Sequence, residues 1–317
     1  MRRVLVPLDG SELSEAIIPD ARRLAGTDGE LILVREASGR VLERDMLVDT
    51  SMSALENAET CLAHEADKLR AEGVTVRTRS FVLTDAASAI DEAVRIFKAD
   101  VIAIATHGRR PLGRVLHGST AWRALAHSPV PVLLRHVESG SPPVDDGGKK
   151  RRIMVPLDGS KYAEKALPLA QELALEWNAP LWLVQVVPQY AVTDTPYTPG
   201  DFVAQTPDEV VNEAQVYLER IAVAISAEAY AEAGFGSVPD TLVEYVDQFS
   251  ITDLIMASHG RTGLSRVILG SVADEIIHRL HGPIIVVPAL AAGRLEDHPL
   301  VDTHEPMVST PSQKAST

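Results

Sequence analysis

The sequence predicts an α/β chain of two tandem domains, each a parallel sheet with helices on both faces. Three observations carry this. Short apolar runs alternate with helix-like stretches, the pattern of parallel strands joined by helical crossovers. The chain also repeats itself. Val6-Pro7-Leu8-Asp9-Gly10-Ser11 returns as Val155-Pro156-Leu157-Asp158-Gly159-Ser160. Ala105-Thr106-His107-Gly108, nine residues, then Gly118-Ser119-Thr120 returns as Ala257-Ser258-His259-Gly260, nine residues, then Gly270-Ser271. Finally, 317 residues are many for one core, so the repeat divides the chain naturally into two units.

In order, Val4–Leu8 reads as a buried strand. Asp9-Gly10-Ser11 turns the chain, and Ser11 caps a helix to about Ala25. Leu31–Val34 is the second strand, residues 37–52 a surface loop, and 53–72 a helix closed by Gly73. Val74–Val82 is the third strand. A helix from Thr84-Asp85 to about Lys98 precedes strands Asp100–Ala105 and Val130–Leu134. Residues 137–151 are a linker, leaving domains at 1–136 and 152–289.

The second domain repeats the order with a strand at Ile153–Leu157, a helix from Ser160 to Trp177 and a strand at Leu181–Val187. The proline-bearing stretch 188–207 is a loop long enough to cover a ligand. One segment departs from the repeat. Gly73 to Gly108 spans 35 positions, Gly234 to Gly260 only 26. Ala227-Glu228-Ala229-Tyr230-Ala231-Glu232-Ala233 is built of helix formers. The expectation is a helix from Val210 to about Ala233 and a third strand that is missing or vestigial. The alternative is a poor strand around Tyr230–Phe235. Leu254-Ile255-Met256 and Pro283–Val287 complete the strands, with a helix at Val272–Leu280 between them. Residues 290–317 read as a disordered tail.

Composition excludes several classes. A formal charge of -14 argues against general nucleic-acid binding, which needs Lys and Arg against phosphates. The single cysteine, Cys61, permits neither an internal disulfide nor a cysteine zinc site. No segment reaches the ~18 apolar residues of a membrane span, and no signal region leads the chain, so the cytoplasm is the default location.

The chemistry gathers where strands end. Gly270 and Ser271 stand where a helix begins, and unpaired first-turn amides with the positive dipole end favour an anion there. Glycine lets backbone approach a ligand or take positive φ. The Ser271 hydroxyl is placed to cap the helix and to bond phosphate. Asp9 and Asp158 are acceptors at the ends of first strands; each, taken alone, reads equally as a turn or cap residue. Arg109, Arg110, Arg114, Arg261 and Arg266 lie in or beside the glycine loops, as phosphate ligands or as solvated charges. His107 and His259 read better as hydrogen-bonded structural histidines than as bases or metal ligands, since no partner sits at ligand spacing.

These motifs resemble those of the universal stress protein family, in a tandem form covering about residues 1–136 and 152–289. Its ATP-binding members carry glycine, two residues, glycine, nine residues, then glycine with Ser or Thr. Here the second and third glycines match at Gly108 and Gly118, followed by Ser119 and Thr120, and at Gly260 and Gly270, followed by Ser271 and Val272. Ala105 and Ala257 replace the first glycine. The resemblance implies two Rossmann-like domains of the adenine nucleotide alpha hydrolase type, each with strand order 3-2-1-4-5. It implies ATP, ADP or AMP as ligand, with Mg2+ on the phosphates as an option. Asp9 and Asp158 would serve the adenosine end, Pro7 and Pro156 line the pocket, and Val186 contact adenine. Glu36 occupies the Val186 position in the first domain and suits adenine poorly. Pro111 and His117 are further departures of the first loop, so the second site ranks first. The family pairs domains through the fifth strand. Here the two copies can pair within one chain, as an intrachain pseudo-dimer, with a homodimer as a further arrangement.

Three functions follow for testing. The first is an adenine-nucleotide-binding protein of stress response or signalling with slow or no hydrolysis. Neither a Walker lysine, an embedded nucleophile nor a catalytic carboxylate pair is visible for more than weak ATP turnover. The second is an enzyme of the related hydrolase group, for which no catalytic constellation is found. The third is a scaffold that works through protein partners, toward which the two glycine-to-alanine changes lean.

Overall fold

The computed structural model describes residues 1–37, 47–82, 85–107, 120–137, 150–189, 206–259, 270–280 and 282–288, with the backbone alone at 47–52, 107, 120, 122 and 126. In the first half the strands are β1 (Arg3–Pro7), β2 (Glu30–Glu36), β3 (Thr75–Phe81), β4 (Val101–His107) and β5 (Val132–Val137). In the second they are β6 (Ile153–Pro156), β7 (Leu181–Pro188), β8 (Ala229–Gly236), β9 (Asp253–Ala257) and β10 (Ile284–Val287). They form one ten-stranded sheet of order β3-β2-β1-β4-β5-β10-β9-β6-β7-β8. Each half thus has the order 3-2-1-4-5, and all pairs are parallel except β5 with β10. The two fifth edges pair with each other, which removes both from solvent.

Helices cover both faces. One face packs Leu24 of α2 (Ile18–Ala25), Leu62 of α3 (Leu47–Ala71), Leu173 of α7 (Leu167–Trp177) and Leu218 of α8 (Pro207–Ala224) in a cluster with Val6, Leu33, Val155 and Leu183. The other packs Ile90 of α4 (Ala86–Phe97), Leu125 of α5 (Thr120–His127), Leu242 of α9 (Val238–Gln248) and Ile276 of α10 (Ser271–Arg279) with Leu5, Ile32, Met154 and Val184. Alternate residues of each strand therefore serve opposite cores.

Several expectations are corrected. The helix after Asp9 breaks into α1 (Glu12–Glu15) and α2, and the helix after Asp158 into α6 (Lys161–Glu164) and α7. Pro19 and Pro168 sit in the first turn of the second pieces, where a missing N–H is tolerated but a continuous helix is not. Helix α3 begins at Leu47, inside the stretch read as loop.

The largest correction concerns the third strand of the second domain. It is neither missing nor vestigial: α8 ends at Ala224, and β8 pairs β7 from Ala229 to Gly236. Packing overrides helix propensity here. Ala229, Ala231 and Ala233 face the core beneath α8. On the other face Tyr230 stacks on Trp182 at 4.7 Å, and a Cβ on Gly234 would stand 2.6 Å from the Tyr245 hydroxyl of α9. Gln215 of α8 covers part of the open edge, accepting from Ala233 N at 3.0 Å and donating to Ala231 O at 3.2 Å.

Candidate functional site

The second-half crevice follows from strand adjacency. Strands β6 and β9 pair in parallel through Ile153↔Asp253 and Met154↔Leu254, so their C-terminal turns leave the same sheet edge. Asp158 lies two residues past β6, and Ser258-His259 directly past β9. Helix α10 starts beside them, because Gly270 N donates to Ser258 O at 3.0 Å. Gly270 is the N-cap, at φ -60°, and a Cβ there would stand 3.4 Å from Ser258 O. It provides close backbone approach rather than positive φ. Ser271 is the first helical residue and does not cap; no side chain caps α10, so its first-turn amides point outward without an acceptor from the N-cap residue. Val272 follows in that turn. In the first half β1 and β4 pair alike through Val4↔Val101, which places Asp9 and Ala105 at one edge, and α5 begins at Thr120.

Both aspartates make the turn that follows them. Asp9 Oδ1 accepts from the Ser11 amide at 2.9 Å and its hydroxyl at 2.6 Å, and Asp158 Oδ1 accepts from the Ser160 amide at 2.9 Å. Gly10 and Gly159, at φ +84° and +80°, supply the left-handed position these turns require. Ser11 and Ser160 then cap α1 and α6. Partial burial pushes the Asp9 carboxyl up, but the bonds from Ser11 and Ser14 outweigh it and hold the group below the ordinary carboxylate range.

The remaining pocket candidates line the same edge. Pro7 and Pro156 end β1 and β6, and Ala257 ends β9. Val186 is buried on the β7 face that carries Val184, while Glu36 is half-exposed at the matching place on β2. His259 Nδ1 lies 2.9 Å from Ser258 Oγ, as suits a structural histidine, but its buried Nε2 has no partner among the described residues. Sequence reasoning also missed Arg35, whose guanidinium lies against the first turn: a Cβ on Gly10 would collide with Arg35 Nη1. A long cation one place before Glu36 was the available signal. Gly108, Gly118, Ser119, Gly260, the five loop arginines, Pro111 and His117 lie outside the described residues, as does the side chain of His107. Among the described residues no three His, Cys, Asp or Glu groups converge on a metal position.

A turn carboxylate, an uncapped helix start and a buried imidazole nitrogen at one edge form a set suited to a ligand with both hydroxyl and anionic groups. The universal stress protein family model matches residues 1–136 and 150–288. The chain belongs to the universal stress protein family. A universal stress protein of Methanocaldococcus jannaschii is 27% identical over 138 residues, 43% of this chain and 81% of that one. One from Mycobacterium tuberculosis strain H37Rv is 27% identical over 199 residues, 60% of this chain and 62% of its own length. Among solved structures, a universal stress protein from Archaeoglobus fulgidus superposes with TM-score 0.66 at 22% identity, covering 90% of this chain and 96% of that one. A putative universal stress protein from Pseudomonas aeruginosa gives 0.63 at 17%, covering 94% and 97%. At these identities the structures speak to the fold, which they share with this family member. No helix among the described residues is long and apolar enough to cross a membrane.

Proposed function

We propose that the chain binds an adenine nucleotide, ATP or its di- or monophosphate, in the second-half crevice, and acts in stress response or signalling with slow or no hydrolysis. The observation that carries this is the meeting of the Asp158 turn and the uncapped start of α10 at one sheet edge. In this reading Asp158 accepts from the ribose, and Pro156 and Val186 line the base. The amides of Ser271 and Val272, with the Ser271 hydroxyl, take phosphate oxygens, with Gly260 as a further backbone contact and His259 Nε2 as a further hydrogen-bonding atom. The residues fit such a ligand, since the glycine N-cap keeps the approach open and the orphaned imidazole nitrogen wants a partner. Mg2+ would supply charge neutralisation on the phosphates when bound. Asp9, Pro7, Ala105, Gly108, Gly118, Ser119 and Thr120 form the weaker counterpart, with Glu36 where adenine would lie.

Titration of the purified chain with ATP by calorimetry, with GTP as control, tests this reading. Micromolar ATP binding that Asp158→Ala weakens is expected; the absence of binding by both nucleotides refutes it. A second reading, a partner-binding scaffold, is favoured by Ala105 near the end of β4 and Ala257 at the end of β9, each adding a methyl where backbone would lie against the nucleotide.

A further inference from the structure

The seam between β5 and β10 has a symmetric register. Val132 pairs Val286, Leu133 pairs Ile285 and Leu134 pairs Ile284. Leu133 and Ile285 hold equivalent places, since Leu133 pairs Ala103 of β4 and Ile285 pairs Ile255 of β9. A local two-fold axis runs through that central pair. The backbone alone would therefore let either half pair with a copy of itself.

The flanking side chains break the symmetry. On one flank Asp20, 1% exposed, is held by Arg135 Nη2 at 2.8 Å and by Arg23 Nη2 at 2.8 Å. Arg23 crosses the seam to Asp253 Oδ1 at 3.1 Å, and Arg151 meets the other Asp253 oxygen at 3.0 Å. Arg23 also lies over the Trp177 ring at 5.4 Å. On the opposite flank Arg2 crosses to Glu172 and to Glu176, the latter at 2.9 Å. Position by position, Asp20 corresponds to Leu169, Arg23 to Glu172, Val101 to Asp253 and Arg135 to Val287, while Arg2 corresponds to Arg151.

The first half thus brings Arg2, Arg23 and Arg135 with one aspartate, and the second brings Arg151 with Asp253, Glu172 and Glu176. Together they are neutral. Two first halves would set six cations against two anions, and two second halves the reverse. Much of this charge is withdrawn from water, where salt screens it little. Buried ion pairs add little net stability, but like charges brought together disfavour the wrong pairing.

The geometry points to a charge code on the seam: each half accepts the other half and rejects a copy of itself. The code acts on the pairing surface, whatever the crevices bind.

Full-length chains carrying Cys61→Ser and Ile285→Cys report the wrong pairing, because an interchain disulfide at 285 forms only where two second halves meet. After refolding from urea at high concentration, the interchain fraction is read on non-reducing gels and the mass by light scattering. With the natural charges the chain stays singly paired. Glu172→Arg raises the interchain fraction, and Arg2→Glu/Glu172→Arg raises it further, about tenfold over the parent. The double exchange keeps a bridge between positions 2 and 172, so it folds, yet it erases the charge difference between the halves. Return of the double exchange to the parental fraction would reduce the bridge to a local contact and overturn the code. Equal fractions in all three chains would overturn it too.

Discussion

The two halves share a frame and differ in what fills it. Where the first half buries the Asp20–Arg135 pair against its sheet, the second places Leu169 and Val287. Where the first sets Arg35 against its Gly10 turn, the second has Gln185, buried. Where the first half-exposes Glu36, the second buries Val186. The backbone tolerates either set because strand order and register come from apolar strands that both halves keep. The polar differences cluster at the seam, in both halves, and at the C-terminal strand edge of the first half. Both halves bring charges to the seam, of opposite net sign, and the second keeps the plainer crevice.

The sharpest way to break this comparison is Asp20→Ala. It leaves Arg135 buried without its partner, and a loss of about 3–5 kcal/mol in urea unfolding is expected. Importing the second half's solution, Asp20→Leu/Arg135→Val, should recover most of that loss, since apolar packing replaces a buried pair well. If the double variant is as unstable as the single one, the two halves are not interchangeable at this position.

Gly270→Val should weaken ATP binding about tenfold, because a branched side chain crowds the approach past Ser258 O and replaces a good N-cap residue. Gly118→Val should matter less. Equal, unchanged affinities in both would remove the ranking of the crevices and the site assignment with it.

Glu36→Val imports the second half's apolar contact into the first crevice. A gain of a few-fold in affinity there, about 1 kcal/mol or less, is the expected calorimetric result.

The smallest effect concerns acid. Asp9 is held below its ordinary range when folded, so its contribution is present above the unfolded carboxylate value and is lost as pH falls through the folded one. Asp9→Asn should lower stability slightly at neutral pH, where that contribution is present, and flatten the profile on the acid side, where the parent loses it. A flattening on the alkaline side would contradict the assignment.

Much was legible in the residues. The repeated Asp-Gly-Ser turns announced both first junctions, since only glycine suits the left-handed place each turn uses. The apolar fifth strands announced the seam, because an exposed edge of that composition demands a partner. The pairing of charges across the seam was not legible, for Asp20 and Asp253 are more than two hundred positions apart and neither has a local motif.

The chain's own order of residues determined the alternation of strands and helices, the two matching junctions and the family, because these depend on local periodicity and turn chemistry. The tertiary structure alone decided the fate of Ala229–Gly236. Its residues favour a helix in isolation, yet β7 presented an unpaired edge, α8 an apolar underside and Trp182 a ring to stack upon. A ladder of backbone bonds, partial burial beneath α8 and ring stacking on Trp182 outweighed a preference worth only tenths of a kcal/mol per residue.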